Sequence, residues 1–198
     1  AQAKTLVEEL HKQYAKTYGT NTVPMNAEAI QDTNGFGEQN TSSEAIKTVG
    51  VFVNETLENL VTIAKEANLD AVQLHGDEDE AFIQALKEKT DVEVWKAVQI
   101  RSAVDAEAWI DSSADMLLFD AYHKDERGGT GEVFDWSCLD EFERPFMLAG
   151  GIDSTNVARA IRTVRPYGID ISSGIETDGV KDDEKIKAFT NIVRTIAH

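Results

Sequence analysis

The chain has 198 residues, a formal net charge of −17, a 41% hydrophobic share and one cysteine. That length suits one domain with a sizeable core; the composition argues against a disordered chain, and no run approaches the ~20 apolar residues of a membrane span. The charge argues against nucleic acid as a partner, and a single cysteine excludes an internal disulfide framework and a cysteine zinc cage, which fits a reducing, cytoplasmic setting.

Residues 1–47 hold six acids and four lysines, net −2, so −15 rests on the remaining 151 residues. An acidic surface of this kind is ordinarily a solvated one. Residues 2–18 can form a helix with Leu6, Val7, Leu10 and Tyr14 on one face, and they contain no apolar signal-peptide core. Residues 20–47 are rich in Asn, Thr, Gly and Gln and contain no apolar run. The expectation is an irregular or degenerate first quarter.

From residue 48 the pattern is regular. The apolar run 48–53 reads as a buried strand, and 55–67 as a helix with Leu57, Leu60, Val61 and Ala64 on one face. Further apolar runs begin at Asp70, Val92, Met116, Pro145 and Gly168, so strand starts lie 22 to 29 residues apart. Helical patterns at 79–89, 103–110, 136–142, 154–164 and 182–196 lie between or after them. Six consecutive βα units predict a mostly parallel sheet, with strands apolar on both faces. An open doubly wound sheet and a closed (β/α)8 barrel compete. Two more units would need about 48 residues at this spacing, the length of the first quarter. The barrel is therefore preferred: one α/β domain over 1–198, with an atypical segment 1–47 and six recognisable units over 48–198.

Sites in parallel α/β folds form at the C-terminal ends of strands. Those ends carry Asn54, His75-Gly76, Gln99, Asp120, Gly150-Gly151 and Ser172-Ser173-Gly174. Gly150-Gly151 precedes Asp153-Ser154, a candidate helix N-cap, and adjacent glycines let a phosphate approach the backbone. Taken alone the pair is an ordinary tight turn. With Ser172-Ser173-Gly174 at the next strand end it becomes a phosphate signal, since barrels build phosphate sites from their last two loops. Gly128, Gly129, Thr130 and Gly131 lie in the longest loop and are a candidate lid. Asp120 is either a general acid or a solvated loop carboxylate. His75 is a base, a substrate donor or a satisfied core histidine. The histidines lack metal-ligand spacing, so no metal is expected, and Cys138 reads as packing.

VGVFVN (49–54), VQLHG (72–76), VWKAV (94–98), LLFDA (117–121), GGTGEVFDW (128–136), LAGGI (148–152), GIDISSGIE (168–176) and GVKD (179–182) come in this order. The series resembles phosphoribosylanthranilate isomerase, an enzyme of tryptophan and hence aromatic amino acid biosynthesis, over 48–196. The resemblance implies a (β/α)8 TIM barrel and an aldose–ketose type isomerase that needs no cofactor. Its reaction is the Amadori rearrangement of N-(5-phosphoribosyl)anthranilate to 1-(2-carboxyphenylamino)-1-deoxyribulose 5-phosphate. By the same resemblance Asp120 is the general acid, and Gln73, His75 and Asp170 face the substrate. Gly150, Gly151, Ser173 and Gly174 cradle the phosphate. The implied partner is a small sugar phosphate, with neither nucleic acid nor membrane; a bifunctional tryptophan-pathway polypeptide is an open setting.

Two motifs of the family are not found in residues 1–47: a first-strand Lys-x-Cys-Gly, whose cysteine is the general base, and a Ser-Pro-Arg after the second strand. Two alternatives therefore stand beside an active isomerase. One is a catalytically impaired barrel that only binds sugar phosphates; the other is a fragment or engineered chain with its first quarter replaced.

Overall fold

The computed structural model describes residues 47–121 and 135–196. The expected helix at 2–18, the rest of the atypical first quarter up to residue 46, and the candidate lid at 128–131 lie outside the described residues. The chain divides into two compact units, Ala1–Val94 and Trp95–His198.

In the first unit, β1 (Val49–Phe52) pairs in parallel with β2 (Ala71–Leu74), Val49 opposite Ala71 and Phe52 opposite Leu74. Between them runs α1 (Leu57–Ala67). The Thr56 hydroxyl accepts from the Asn59 amide at its start, and Asn68 ends it in the left-handed region at φ 55°. Its buried face is Leu60, Ala64 and Ala67. Helix α2 (Glu80–Lys87) starts where the Asp79 carboxylate accepts from the Phe82 amide at 2.9 Å, and it buries Ile83 and Leu86. Asp70 fixes the strand entry, its carboxylate accepting from the Thr48 amide and hydroxyl, each at 2.7 Å. All of β2 is buried, as a strand covered on both faces must be. β1 departs from that expectation: Val51 is 60% exposed, and among the described residues β1 pairs with β2 alone.

The strand β3 (Glu93–Ile100) begins with the last residues of the first unit and continues into the second. There β4 (Met116–Ala121), β5 (Phe146–Ala149) and β6 (Gly168–Ile169) follow, each parallel to the one before. Behind β4 and β5, Phe119, Phe142 and Phe146 pack with ring centroids 5.0, 5.1 and 5.8 Å apart, mostly edge to face.

Several elements of this unit are shorter than their sequence pattern. Helix α3 (Ala103–Glu107) opens on a capping box between Ser102 and Asp105 and stops before the expected residue 110. Beyond it the chain continues in tighter turns, the Trp109 and Ile110 amides donating to the Ala106 and Glu107 carbonyls, and the Arg144 guanidinium donates to the carbonyls of Trp109, Ile110, Ser112 and Ala114. The pattern at 136–142 gives one 3-10 turn, Trp136–Leu139, its Ser137 amide held by the Asp135 carboxylate. Helix α4 (Val157–Val164) starts three residues later than expected. The Asp153 carboxylate accepts from the Thr155 and Asn156 amides at 2.7 and 3.2 Å, closing a turn that precedes the helix. After β6 comes a second 3-10 turn, Ser173–Ile175, then an unexpected antiparallel hairpin of β7 (Glu176–Thr177) and β8 (Val180–Lys181). Helix α5 (Asp183–Ile196) closes the chain and buries Phe189. The Asp182 carboxylate caps it by accepting from the Glu184 and Lys185 amides at 3.0 and 3.2 Å. No helix among the described residues is long and apolar enough to cross a membrane.

Candidate functional site

In the second unit the strand register brings polar ends level. Gln99 of β3 lies opposite Asp120 of β4, and Asp120 opposite Ala149 of β5. Side chains two residues apart on a strand share a face. Asp120 therefore stands on the face of Leu118, which forms a buried cluster with Ala97 and Ala149. Asp120 itself is half-buried and Gln99 exposed. A carboxyl at the rim of an apolar patch, still open to solvent, is placed to exchange a proton with a bound molecule.

Beyond β5 the chain turns through Gly150 and Gly151 at φ 86° and 58°. Only glycine adopts two such residues in succession without strain, so the pair is fixed by backbone geometry. Asn156 holds this turn: its side-chain amide donates to the Gly151 carbonyl at 2.8 Å and its side-chain oxygen accepts from the Asp153 amide at 3.0 Å. Asp153 thus caps the loop, while the helix begins after Asn156.

Beyond β6, the Asp170 amide donates to the Leu148 carbonyl at 2.9 Å, which ties this loop to β5. Asp170 and Ser173 are exposed and Gly174 is half-buried. A Cβ on Gly174 would lie 2.0 Å from the Ile152 carbonyl oxygen. The loops after β5 and β6 therefore touch backbone to backbone, and four of the expected phosphate residues, Gly150, Gly151, Ser173 and Gly174, sit in these two adjoining loops.

In the first unit, Gln73 is buried and His75 half-buried at the end of β2. The Gln73 side-chain nitrogen lies 2.9 Å from His75 Nδ1. This contact fixes the orientation of the imidazole ring at the strand end. Sequence reasoning missed Glu78. This carboxylate is only 7% exposed and accepts from the Asn54 amide at 2.7 Å and the Gly76 amide at 2.9 Å. It clamps the ends of β1 and β2, which the Asn54 and Asp77 side chains reinforce. In a run such as HGDED a carboxylate reads by default as solvated, and no periodicity singles it out.

Cys138 lies on the 3-10 turn and lines a cavity of about 430 Å³ with Ala106, Ile110 and Phe142. None of the expected site residues lines this cavity. Burial, and then the Asp135 charge, push the Cys138 thiol up, which removes thiolate and reactivity. Among the described residues no three His, Cys, Asp or Glu side chains are grouped to hold a metal.

A model of the family described as N-(5'phosphoribosyl)anthranilate (PRA) isomerase matches residues 2–192. That match reaches into the first quarter, which the motif series left apart. The N-(5'-phosphoribosyl)anthranilate isomerase of Endomicrobium trichonymphae is 44% identical over 153 residues, 77% of this chain and 75% of the relative. That of Thermoanaerobacter sp. (strain X514) is 48% identical, covering 76% of this chain and 74% of the relative. The crystal structure of phosphoribosyl anthranilate isomerase from Thermotoga maritima superposes with a TM-score of 0.67 at 36% identity, over 77% of this chain and 75% of that one. A phosphoribosyl anthranilate isomerase in complex with reduced 1-(o-carboxyphenylamino)-1-deoxyribulose 5-phosphate superposes at 0.64 and 33% identity, over 77% and 73% of the two chains.

Proposed function

The chain belongs to the N-(5'-phosphoribosyl)anthranilate isomerase family, and from that premise we propose how its residues divide the work of the rearrangement. It is an isomerase of tryptophan biosynthesis. The comparisons lend no support to a barrel that merely binds sugar phosphates, because the relatives carry the isomerase name.

The reaction opens a furanose ring and moves a proton from the sugar C2. Asp120 protonates the ring oxygen, the ring opens, and the resulting iminium makes the C2 proton acidic. A base removes it, and the enol so formed becomes the ketone. Asp120 suits the acid role by its half-buried position on the apolar face of β4. The 5-phosphate lies against Gly150, Gly151, Ser173 and Gly174, where backbone can approach an anion without side chains in the way. By the family resemblance, Asp170, Gln73 and His75 are assigned to substrate binding.

The base is not Cys138, whose thiol is pushed up beside a separate cavity; it comes from His75 or from the first quarter, where Glu8, Glu9, His11, Asp32 and Glu38 are titratable candidates. The eightfold (β/α)8 closure belongs to the same proposal, supported by the superposition on the Thermotoga maritima enzyme. So does a cytoplasmic setting, supported by the soluble substrate and the lone cysteine.

The observation that carries the site is the contact of the two glycine loops at Gly174 and Ile152. Gly151→Glu tests it by placing bulk and negative charge in the cradle. Inorganic phosphate should no longer raise the melting temperature of the folded variant; an undiminished shift would refute the assignment.

A further inference from the structure

The GVKD segment has no role in the site as described so far, yet its lysine reaches the phosphate loop. Lys181 Nζ donates to the Ser172 carbonyl at 2.8 Å and to the Glu176 carboxylate at 2.6 Å, and it lies 3.4 Å from the Ser172 hydroxyl. The same carbonyl accepts from the Ile175 amide at 3.4 Å, closing the 3-10 turn. Around this point the hairpin is strapped twice more: the Asp182 amide donates to the Ile175 carbonyl at 2.9 Å, and the Thr177 hydroxyl to the Asp182 carboxylate at 2.7 Å. Asp182 in turn caps α5. Two residues beyond Ser172, Gly174 rests on the Ile152 carbonyl.

We infer that Lys181 is a positioning residue for phosphate binding, acting through Ser172; the inference rests on the phosphate assignment made above. Drawing the Ser172 carbonyl toward β8 sets the plane of the peptide that follows. That plane aims the Ser173 amide, and a peptide turned by tens of degrees would point its N–H away from an anion. The ammonium also brings a positive charge to a loop that must receive a phosphate dianion in a chain of net charge −17. Glu176 shares that charge and fixes the ammonium in place, so the geometry is retained with the site empty. Lys181 acts on the phosphate loop and not on the reacting carbons. Its loss should therefore appear in binding and leave the chemical step largely intact.

Three variants and two readouts test this. The readouts are the thermal shift given by inorganic phosphate, which needs no turnover, and kcat against KM for N-(5-phosphoribosyl)anthranilate. Lys181→Met should weaken phosphate about tenfold and raise KM by a similar factor, with kcat within about threefold. Lys181→Arg keeps a charged donor at the same reach and should restore both values to within about threefold. Should the methionine variant fail to fold, Lys181→Gln keeps a neutral donor and should lie between the two. Unchanged phosphate affinity and KM in a folded Lys181→Met would overturn the role of Lys181, and so would a loss confined to kcat. A parallel Gly151→Glu variant separates the two levels. If it abolishes the phosphate shift while Lys181→Met leaves it intact, the phosphate site stands and the lysine inference fails. If the shift survives Gly151→Glu, both fail together.

Discussion

Gly174 and Ile152 meet backbone to backbone: a Cβ on the glycine would stand 2.0 Å from the isoleucine's carbonyl oxygen. Real Cβ atoms do not approach an oxygen so closely, so Gly174→Ala must push the two loops apart. Overpacking of this kind costs about 1–3 kcal/mol. Urea denaturation should show that loss, and inorganic phosphate should bind at least tenfold more weakly. An alanine variant with wild-type stability and affinity would mean that the contact is dispensable.

Asp120→Asn keeps shape and removes the proton donor. General acids contribute about 10²–10⁴-fold, so kcat should fall by that order, while the apolar cluster under the strand end keeps the fold intact. A fall of less than about threefold would move the acid role elsewhere.

How far these roles are legible in the sequence depends on the range of the interaction. Helix α1 is read directly, because its apolar spacing, its Thr56 cap and its Asn68 stop are local. Gly150-Gly151 is legible because two successive left-handed residues demand glycine. The short elements are not. Arg144 takes carbonyls some 30 residues away, just past α3, a tie that leaves no periodic trace. Glu78 and Lys181 are equally silent: each looks like one more charge in a polar run, and its meaning comes from partners brought together by the fold. The hairpin β7–β8 has two residues per strand, too few for alternation to register. In the first quarter, Asn, Thr, Gly and Gln give neither period, and the sequence alone sets no elements beyond its opening helix.

Glu78→Gln should destabilise the first unit. Both carboxylate oxygens accept backbone amides, and the variant must turn an NH2 group toward one of those N–H donors. Leaving a buried donor unpaired costs about 1–3 kcal/mol, readable by urea denaturation. A variant within about 0.3 kcal/mol of wild type would show that the clamp is redundant.

Acid should weaken the fold through identifiable carboxylates. Asp105 is held below the ordinary range first by the Arg101 amide and then by the Ser102 hydroxyl and amide. Asp182 is held down first by the Thr177 hydroxyl and then by the Lys185 and Glu184 amides. A lowered folded-state value gives stability that is present above the ordinary carboxylate pKa, near 4, and lost as pH falls through the lowered value. The melting temperature should thus drop below about pH 4, and less steeply in Asp105→Asn and Asp182→Asn. An unchanged slope in both would remove these groups from the acid response.

Cys138 should be inert. With its thiol pushed up by burial and by Asp135, a disulfide reagent at pH 8 should react about tenfold more slowly with native than with urea-unfolded protein. Cys138→Ser should leave turnover within about twofold. Loss of turnover at unchanged melting temperature would show that the thiol takes part.

Isomerase activity in this chain is read by a fluorescence time course. N-(5-phosphoribosyl)anthranilate is mixed with the purified protein, and the anthranilate-type emission is followed while the ring-opened product forms. The emission should decay at a rate proportional to protein concentration, slowed by about 10²–10⁴-fold in Asp120→Asn. An emission that stays at the protein-free baseline, with the protein folded and phosphate bound, would contradict it.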